Sequence, residues 1–234
     1  MREVDSRGYK KYFTLSFDDG VEQDKTLIAL MRRYGLQGTF NLNAGLFGHH
    51  PRIADINRIP QDEIVQVYEG FEIASHGYRH ENFRMISAGK QKASITSDIK
   101  ALTAITASPI VGFAYPYDAY TKASETCLRE QGILYARRAR GEGSFRFPDN
   151  PLNYVPTCWF NAKNVYQLID DFINTEPEYD DLLFMMWGHA YEMDYGWRKC
   201  PVDQLERILS KIAGQEDITY CSNREAFARA EGHC

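Results

Sequence analysis

Asp18 and Asp19, followed at once by Gly20, are adjacent carboxylates at the end of an apolar run. Such a pair has two uses. It can close a turn and cap a helix, or one acid can bind a metal ion while the other moves a proton. Successive residues of an extended segment point to opposite sides. Both acids can therefore face one partner only if the backbone turns between them, and Gly20 supplies freedom for that turn. Further along, His76 and His80 stand four residues apart with Gly77 beside the first. Joined by one carboxylate, they make the two-nitrogen, one-oxygen set of a catalytic zinc with a position open for water. A surface loop whose histidines bind backbone groups is the competing use of the same spacing. Three of the six histidines, His76, His80 and His189, follow strand-like runs, which favours the metal.

A scaffold must bring these residues together. Residues 9–17 are rich in aromatic and β-branched side chains and read as a buried strand. Residues 24–34 carry Leu27, Ile28, Leu30 and Met31 on one helical face, stopped by Gly35. The pattern then repeats: strand 38–43, a loop over 44–60 containing His49-His50-Pro51, a short helix 61–68, strand 71–75, helix 87–106 and strand 110–115 up to Pro116. Helix 121–131, strand 133–139, a loop over 141–153, helix 164–173, strand 182–187, helix 202–212 and strand 218–221 follow, with Asn223 expected to cap a last helix. This alternation predicts one α/β domain over residues 1–234 with a mostly parallel sheet, and seven or eight such units suit a barrel. Asp18-Asp19, His76 to His80, Pro116-Tyr117-Asp118 and His189 all follow strands. In parallel folds those ends share one face, where sites are built.

Composition narrows the function. A net charge of −5 and a pI near 5.7 argue against a nucleic-acid partner. The basic cluster Arg137, Arg138, Arg140 is short, is followed by Glu142, and reads as a local feature. Aromatics at 13% leave rings for a sugar-binding cleft beyond those the core needs. The five cysteines form no Cys-x-x-Cys pair and are expected as buried free thiols in a reducing compartment. Residues 1–6 lack the apolar core of a signal peptide, and no apolar run nears the roughly 18 residues of a membrane span. A cytoplasmic protein with no membrane partner is expected, and its oligomeric state is left open.

Taken together, Phe17-Asp18-Asp19-Gly20, His76-Gly77-Tyr78-Arg79-His80, Pro116-Tyr117 and Trp187-Gly188-His189 resemble the ordered motifs of the polysaccharide deacetylases, carbohydrate esterase family 4. The resemblance implies an α/β fold, a distorted (β/α) barrel of about seven parallel strands. It implies Asp18 as catalytic base, Asp19, His76 and His80 as metal ligands, Tyr117 as the oxyanion-hole N–H and His189 as general acid. It also implies a divalent metal, zinc first, with cobalt, nickel or manganese also suited to the ligand set. The substrate would be an acetylated carbohydrate, losing an N- or O-linked acetyl group.

Three positions depart from the family pattern. The arginine that usually pairs with the base is replaced by Ala114, and Arg137 is the candidate substitute. The family's Asp-Trp segment, which supports the acidic histidine, has Cys158-Trp159 as its nearest counterpart, with plain core as the other use of Trp159; separately, Glu192 is a candidate to contact substrate or to orient His189. Gly77 stands where Ser or Thr is usual. Ala114 and the long 44–60 loop leave room for a cyclic-amide hydrolase of the same fold group. An inactive sugar-binding domain is a third reading, opposed by the full set of acid–base and metal-binding residues.

Overall fold

The computed structural model describes residues 9–49, 56–196 and 199–230. His50 and Pro51, the amino-terminal segment read above and Cys234 lie outside the described residues.

Elements alternate along the chain: β1 (Lys11–Asp18), α1 (Asp24–Arg33), β2 (Gly38–Leu42), α2 (Ile64–Val67), β3 (Glu72–Ser75), α3 (Ala88–Thr106), β4 (Gly112–Ala114) and α4 (Lys122–Glu130). Then come β5 (Tyr135–Arg137), β6 (Cys158–Trp159), α5 (Val165–Asn174), β7 (Leu182–His189), α6 (Val202–Ile212), β8 (Ile218–Tyr220) and α7 (Asn223–Ala230). Seven parallel strands follow the order β5-β4-β3-β2-β1-β7-β6, the curled architecture expected from the sequence, and β8 joins β1 from outside this path.

β1 organises the sheet and is buried along its whole length. β7 runs the full length of one edge, from Lys11 opposite Leu182 to Asp18 opposite His189. The other edge is divided: β8 pairs Lys11 to Phe13, and β2 pairs Leu15 to Asp18. Between β5 and β6 the sheet is bridged by a single segment. Tyr154 exchanges backbone hydrogen bonds with Ala136 (3.0 Å) and Arg138 (2.7 Å), and three residues on the Thr157 N–H donates to Met185 (3.0 Å).

The side chains of β1 alternate as a strand requires. Phe13, Leu15 and Phe17 enter the main apolar core with Leu27, Met31, Phe40 and Phe184. On the opposite face Thr14, Ser16 and Asp18 are also buried, so their polar atoms need partners. They find them in Asn41, Arg137 and the helix α7: Thr14 Oγ1 donates to Asn223 Oδ1 (2.7 Å), and Ser16 Oγ accepts from Asn41 Nδ2 and Arg137 Nε, both at 3.0 Å. Below this polar layer, Phe227 of α7 stacks on Tyr135 at 5.1 Å and meets Tyr154 edge-on at 5.5 Å.

Asn223 is not the helix cap that the sequence suggests. Ser222 Oγ accepts from the Glu225 N–H (3.2 Å), while the Glu225 carboxylate accepts from the Ser222 N–H (2.8 Å). Ser222 to Glu225 is a Ser-x-x-Glu capping box, which frees Asn223 for the interior. Four cysteines among the described residues are buried and outside any disulfide: Cys127, Cys158, Cys200 and Cys221. Among the described residues, no helix is long and apolar enough to cross a membrane.

Asp24, at the start of α1, is wholly buried. Its Oδ2 accepts from Tyr68 Oη (2.6 Å) and Val21 N (3.2 Å), and Oδ1 has no hydrogen-bond partner among the described residues. Burial pushes its pKa up to about 8, Asp19 adding to the rise and the Tyr68 bond opposing it. The unfolded chain releases this proton near the ordinary value of 3.8, the folded chain only near 8. Between those values the unfolded state binds fewer protons, so stability falls as pH rises, by up to about 1.4 kcal/mol per pH unit. Asp24→Asn is therefore expected to narrow the gap between denaturation midpoints measured at pH 5 and pH 8. An equally wide gap in the variant would show that Asp24 is already ionised in the fold.

Candidate active site

Every residue singled out by the motifs lies at the carboxyl end of a strand. Asp18 ends β1, His189 ends β7 and Arg137 ends β5; Asp19 and His76 immediately follow β1 and β3. The turn that presents both acids is made by Asp19 and Gly20 together, at φ 86° and 68°. Only the second is a glycine. The left-handed Asp19 costs roughly 1–3 kcal/mol unless its surroundings hold it. Arg58 does so: its Nη1 donates to the Asp19 carbonyl, and its Nη2 meets Asp19 Oδ1 at 3.1 Å. Burial raises the Asp19 pKa, but Arg58 and the histidines around it outweigh that and hold it far below the carboxylate range.

The ligand atoms of Asp19, His76 and His80 all lie within 4.8 Å of one another. His76 Nδ1 lies 2.8 Å from the Ala114 carbonyl, so that nitrogen carries the proton and Nε2 is left for an ion. Burial pushes His76 down to about 4 and His80 below its ordinary value as well. Two neutral imidazoles and an ionised carboxylate are the protonation states a divalent cation requires. The residues present therefore fit a metal with two nitrogen donors and one oxygen donor, leaving further coordination positions to solvent or substrate.

Asp18 points beside this cluster, with Oδ2 3.9 Å from His76 Nε2. Its Oδ1 accepts from Asn41 Nδ2 at 2.9 Å and from Arg137 Nη2. Burial raises its pKa, but Arg137, followed by His76 and His189, brings it below the ordinary value. Arg137 is itself fully buried, its Nη1 bonded to the Arg138 carbonyl (2.9 Å) and its guanidinium 4.7 Å from the Trp187 ring centre. Ala114 and Arg137 are direct partners in the β4–β5 register. The cation has in effect moved one strand sideways. It makes one bond to Asp18, because its Nε is engaged by Ser16.

His189 Nε2 lies 3.9 Å from Asp19 Oδ2, and its Nδ1 is 3.6 Å from Glu192 Oε1. Glu192 in turn accepts from Trp159 Nε1 at 2.8 Å. Burial lowers the His189 pKa, but Glu192 and the two aspartates more than reverse it, so the net shift is upward. Trp159, read as possible core, thus fixes the acid behind His189. Gly188 has no room for a side chain: a Cβ there would sit 2.1 Å from Phe160 Cδ1.

Tyr117 lies in the turn after β4, with its ring edge-on to His80 at 4.5 Å and 62% of its surface exposed. Arg138 and Arg140 both bind Asp118, so the basic cluster is consumed locally, as expected. Arg58 and Asn41 were missed by sequence reasoning. The available signal was charge balance, since two buried acids need two cations and only one had been named.

The sequence profile of the family described as polysaccharide deacetylase matches residues 5–136 of the 234. No curated protein matches the chain. Among solved structures, a Mycobacterium smegmatis protein proposed to be a polysaccharide deacetylase superposes with a TM-score of 0.67 at 16% identity, covering 97% of this chain and 92% of that one. The Xyl-CE4 domain of a multidomain xylanase from the hindgut metagenome of Trinervitermes trinervoides gives 0.59 at 18%, covering 95% and 92%. A family 4 pseudoenzyme from Bacillus anthracis gives 0.59 at 13%, covering 92% and 65%. At these identities the neighbours show the fold alone. The profile spans more than half of the chain. This chain therefore belongs to the polysaccharide deacetylase family, whose active members are hydrolases of acetylated carbohydrates.

Proposed function

We propose that the chain is a divalent-metal-dependent deacetylase of an acetylated oligosaccharide, zinc being the first candidate for the ion and cobalt, nickel or manganese the alternatives. The observation that carries this reading is the placement of Asp18, ionised and held by Arg137, beside a three-residue set that fits a metal. Asp19, His76 and His80 would hold the ion, which when bound supplies Lewis acidity toward water and the acyl oxygen. Asp18 takes the proton of the attacking water. The Tyr117 N–H donates to the oxygen on which negative charge develops, a contribution worth on the order of a hundredfold in rate. His189, whose pKa Glu192 and the aspartates raise against the effect of burial, passes its proton to the departing amine or alcohol.

Acetate release from a panel of N- and O-acetylated oligosaccharides, with metal supplied, tests the reading directly. A fold can persist without turnover, so the assay must show catalysis and not binding alone. Ring opening of cyclic amides without acetate release would transfer the activity to the cyclic-amide hydrolases.

His80→Ala removes one of three ligands and is expected to strip the ion. Elemental analysis after dialysis should find well under one equivalent, and a variant that still holds one equivalent tightly would exclude His80 from the set. Glu192→Gln should act on the other limb of the reaction. His189 works as an acid, so the rate falls as pH rises through its pKa. Removing the carboxylate that raises this pKa moves the basic limb to lower pH. A basic limb that stays in place would free Glu192 from this role.

A further inference from the structure

We propose that Asp118, gripped by Arg138, is the positioning residue that holds the Tyr117 N–H on the developing oxyanion; the inference rests on the deacetylase reading above. Tyr117 and Asp118 are consecutive non-glycine residues in the left-handed region, at φ 54° and 57°. L residues reach this region rarely and stay there only when their surroundings hold them.

The turn's own bonds fix its ends: Asp118 N–H to the Tyr115 carbonyl (3.2 Å) and Ala119 N–H to the Pro116 carbonyl (2.9 Å). Packing gives Tyr117 little hold: its ring meets His80 edge-on, but most of the side chain is exposed. The Asp118 side chain does the holding. Its Oδ1 and Oδ2 accept from Arg138 Nε (2.6 Å) and Nη2 (2.9 Å), a two-pronged grip, and Oδ1 also accepts from the Ala139 N–H (3.1 Å). Arg138 Nη2 additionally reaches the Asp118 carbonyl at 3.3 Å.

Arg138 is itself anchored. Its Nη1 donates to Asn153 Oδ1 (2.9 Å), its guanidinium lies 5.2 Å from the Tyr120 ring centre, and its backbone N–H bonds Tyr154 (2.7 Å). The two arginines that end and follow β5 therefore divide the work. Arg137 sets the base Asp18, and Arg138 sets the turn that carries Tyr117. Arg140 also touches Asp118, but its side chain is 62% exposed, and exposed ion pairs of this kind contribute little.

The test uses the metal-loaded protein on an acetylated oligosaccharide that the wild type turns over. Asp118→Asn and Arg138→Lys should each lower kcat by about 10- to 100-fold, as expected for a misplaced hole donor, while KM changes less than about threefold. Metal content should stay at the wild-type level. Arg138→Lys keeps the charge and loses only the two-pronged grip, so it serves if Asp118→Asn folds poorly. Arg140→Ala should change kcat less than about twofold. Affinity for a phosphonate analogue of the tetrahedral intermediate should fall in parallel with kcat, and affinity for acetate should not. Wild-type kcat in both variants would overturn the proposal, as would losses that track metal content or melting temperature. A wild-type protein without turnover on any acetylated sugar would overturn the deacetylase reading itself, and this inference with it.

Discussion

Replacing Arg137 by Ala is expected to lower turnover at mildly acidic pH by about a hundredfold and to move the acidic limb of the rate profile to higher pH. Asp18 is fully buried, and the guanidinium is the first of the charges that hold its pKa below the ordinary value. Without Arg137, burial dominates and the pKa rises. A base must be ionised to act, so the rate is lost as pH falls through this pKa, and the loss begins at a higher pH in the variant. Stability follows the same sign. The pairing of Asp18 contributes above the unfolded value near 3.8 and is lost as pH falls through the depressed folded value. Removing one partner of a buried pair leaves an uncompensated charge, which typically costs about 3–5 kcal/mol. The metal should remain, because Arg137 touches none of the three ligands. A rate–pH profile with elemental analysis of the same sample decides the matter. An acidic limb that stays where it was would show that Asn41 and the histidines suffice.

Asp18→Asn should have the largest effect on chemistry alone, a fall of roughly 10²- to 10⁴-fold in kcat, the range typical of a positioned general base. The amide keeps the shape of the side chain and can still meet Asn41, but it cannot take a proton. It also turns either a donor or a weaker acceptor toward Arg137. Asp19, His76 and His80 are separate side chains, so one equivalent of metal should be retained. Near-normal acetate release would move the role of base to another group. Loss of the ion would instead make Asp18 a ligand.

The carboxyl ends of the strands were legible because apolar runs broken by polar residues mark them, and in a parallel sheet those breaks fall on one face. From the sequence alone, those breaks put Asp18, Asp19, His76, Tyr117 and His189 on one face. Arg137 could be named because it ends a strand-like run, yet its partnership with Ala114 depends on strand register, which single-strand patterns do not encode. Arg58 lies in the long 44–60 loop, where no periodicity says which side chain turns inward. The strand ends were overestimated on the same ground. Ile110 and Ile133 are buried apolar residues just outside β4 and β5, and burial alone looks like strand. Asn223 was misplaced by one residue because Asn and Ser both cap helices, and only Glu225 distinguishes them.

The pairing of β1 on both edges also bears on how the chain is made. Lys11 pairs with Leu182, 171 residues later, and Asp18 meets its guanidinium across a separation of 119. Contacts of this range carry a loop-closure cost before they give anything back, which slows folding. On the ribosome the two carboxylates are made well before β7 and β8, which occupy all of one edge of β1 and its first three residues on the other. A nascent chain halted before residue 182 exposes an unpaired, apolar strand edge of the kind that recruits other chains. The window of greatest aggregation risk thus stays open until the β7 sequence clears the exit tunnel.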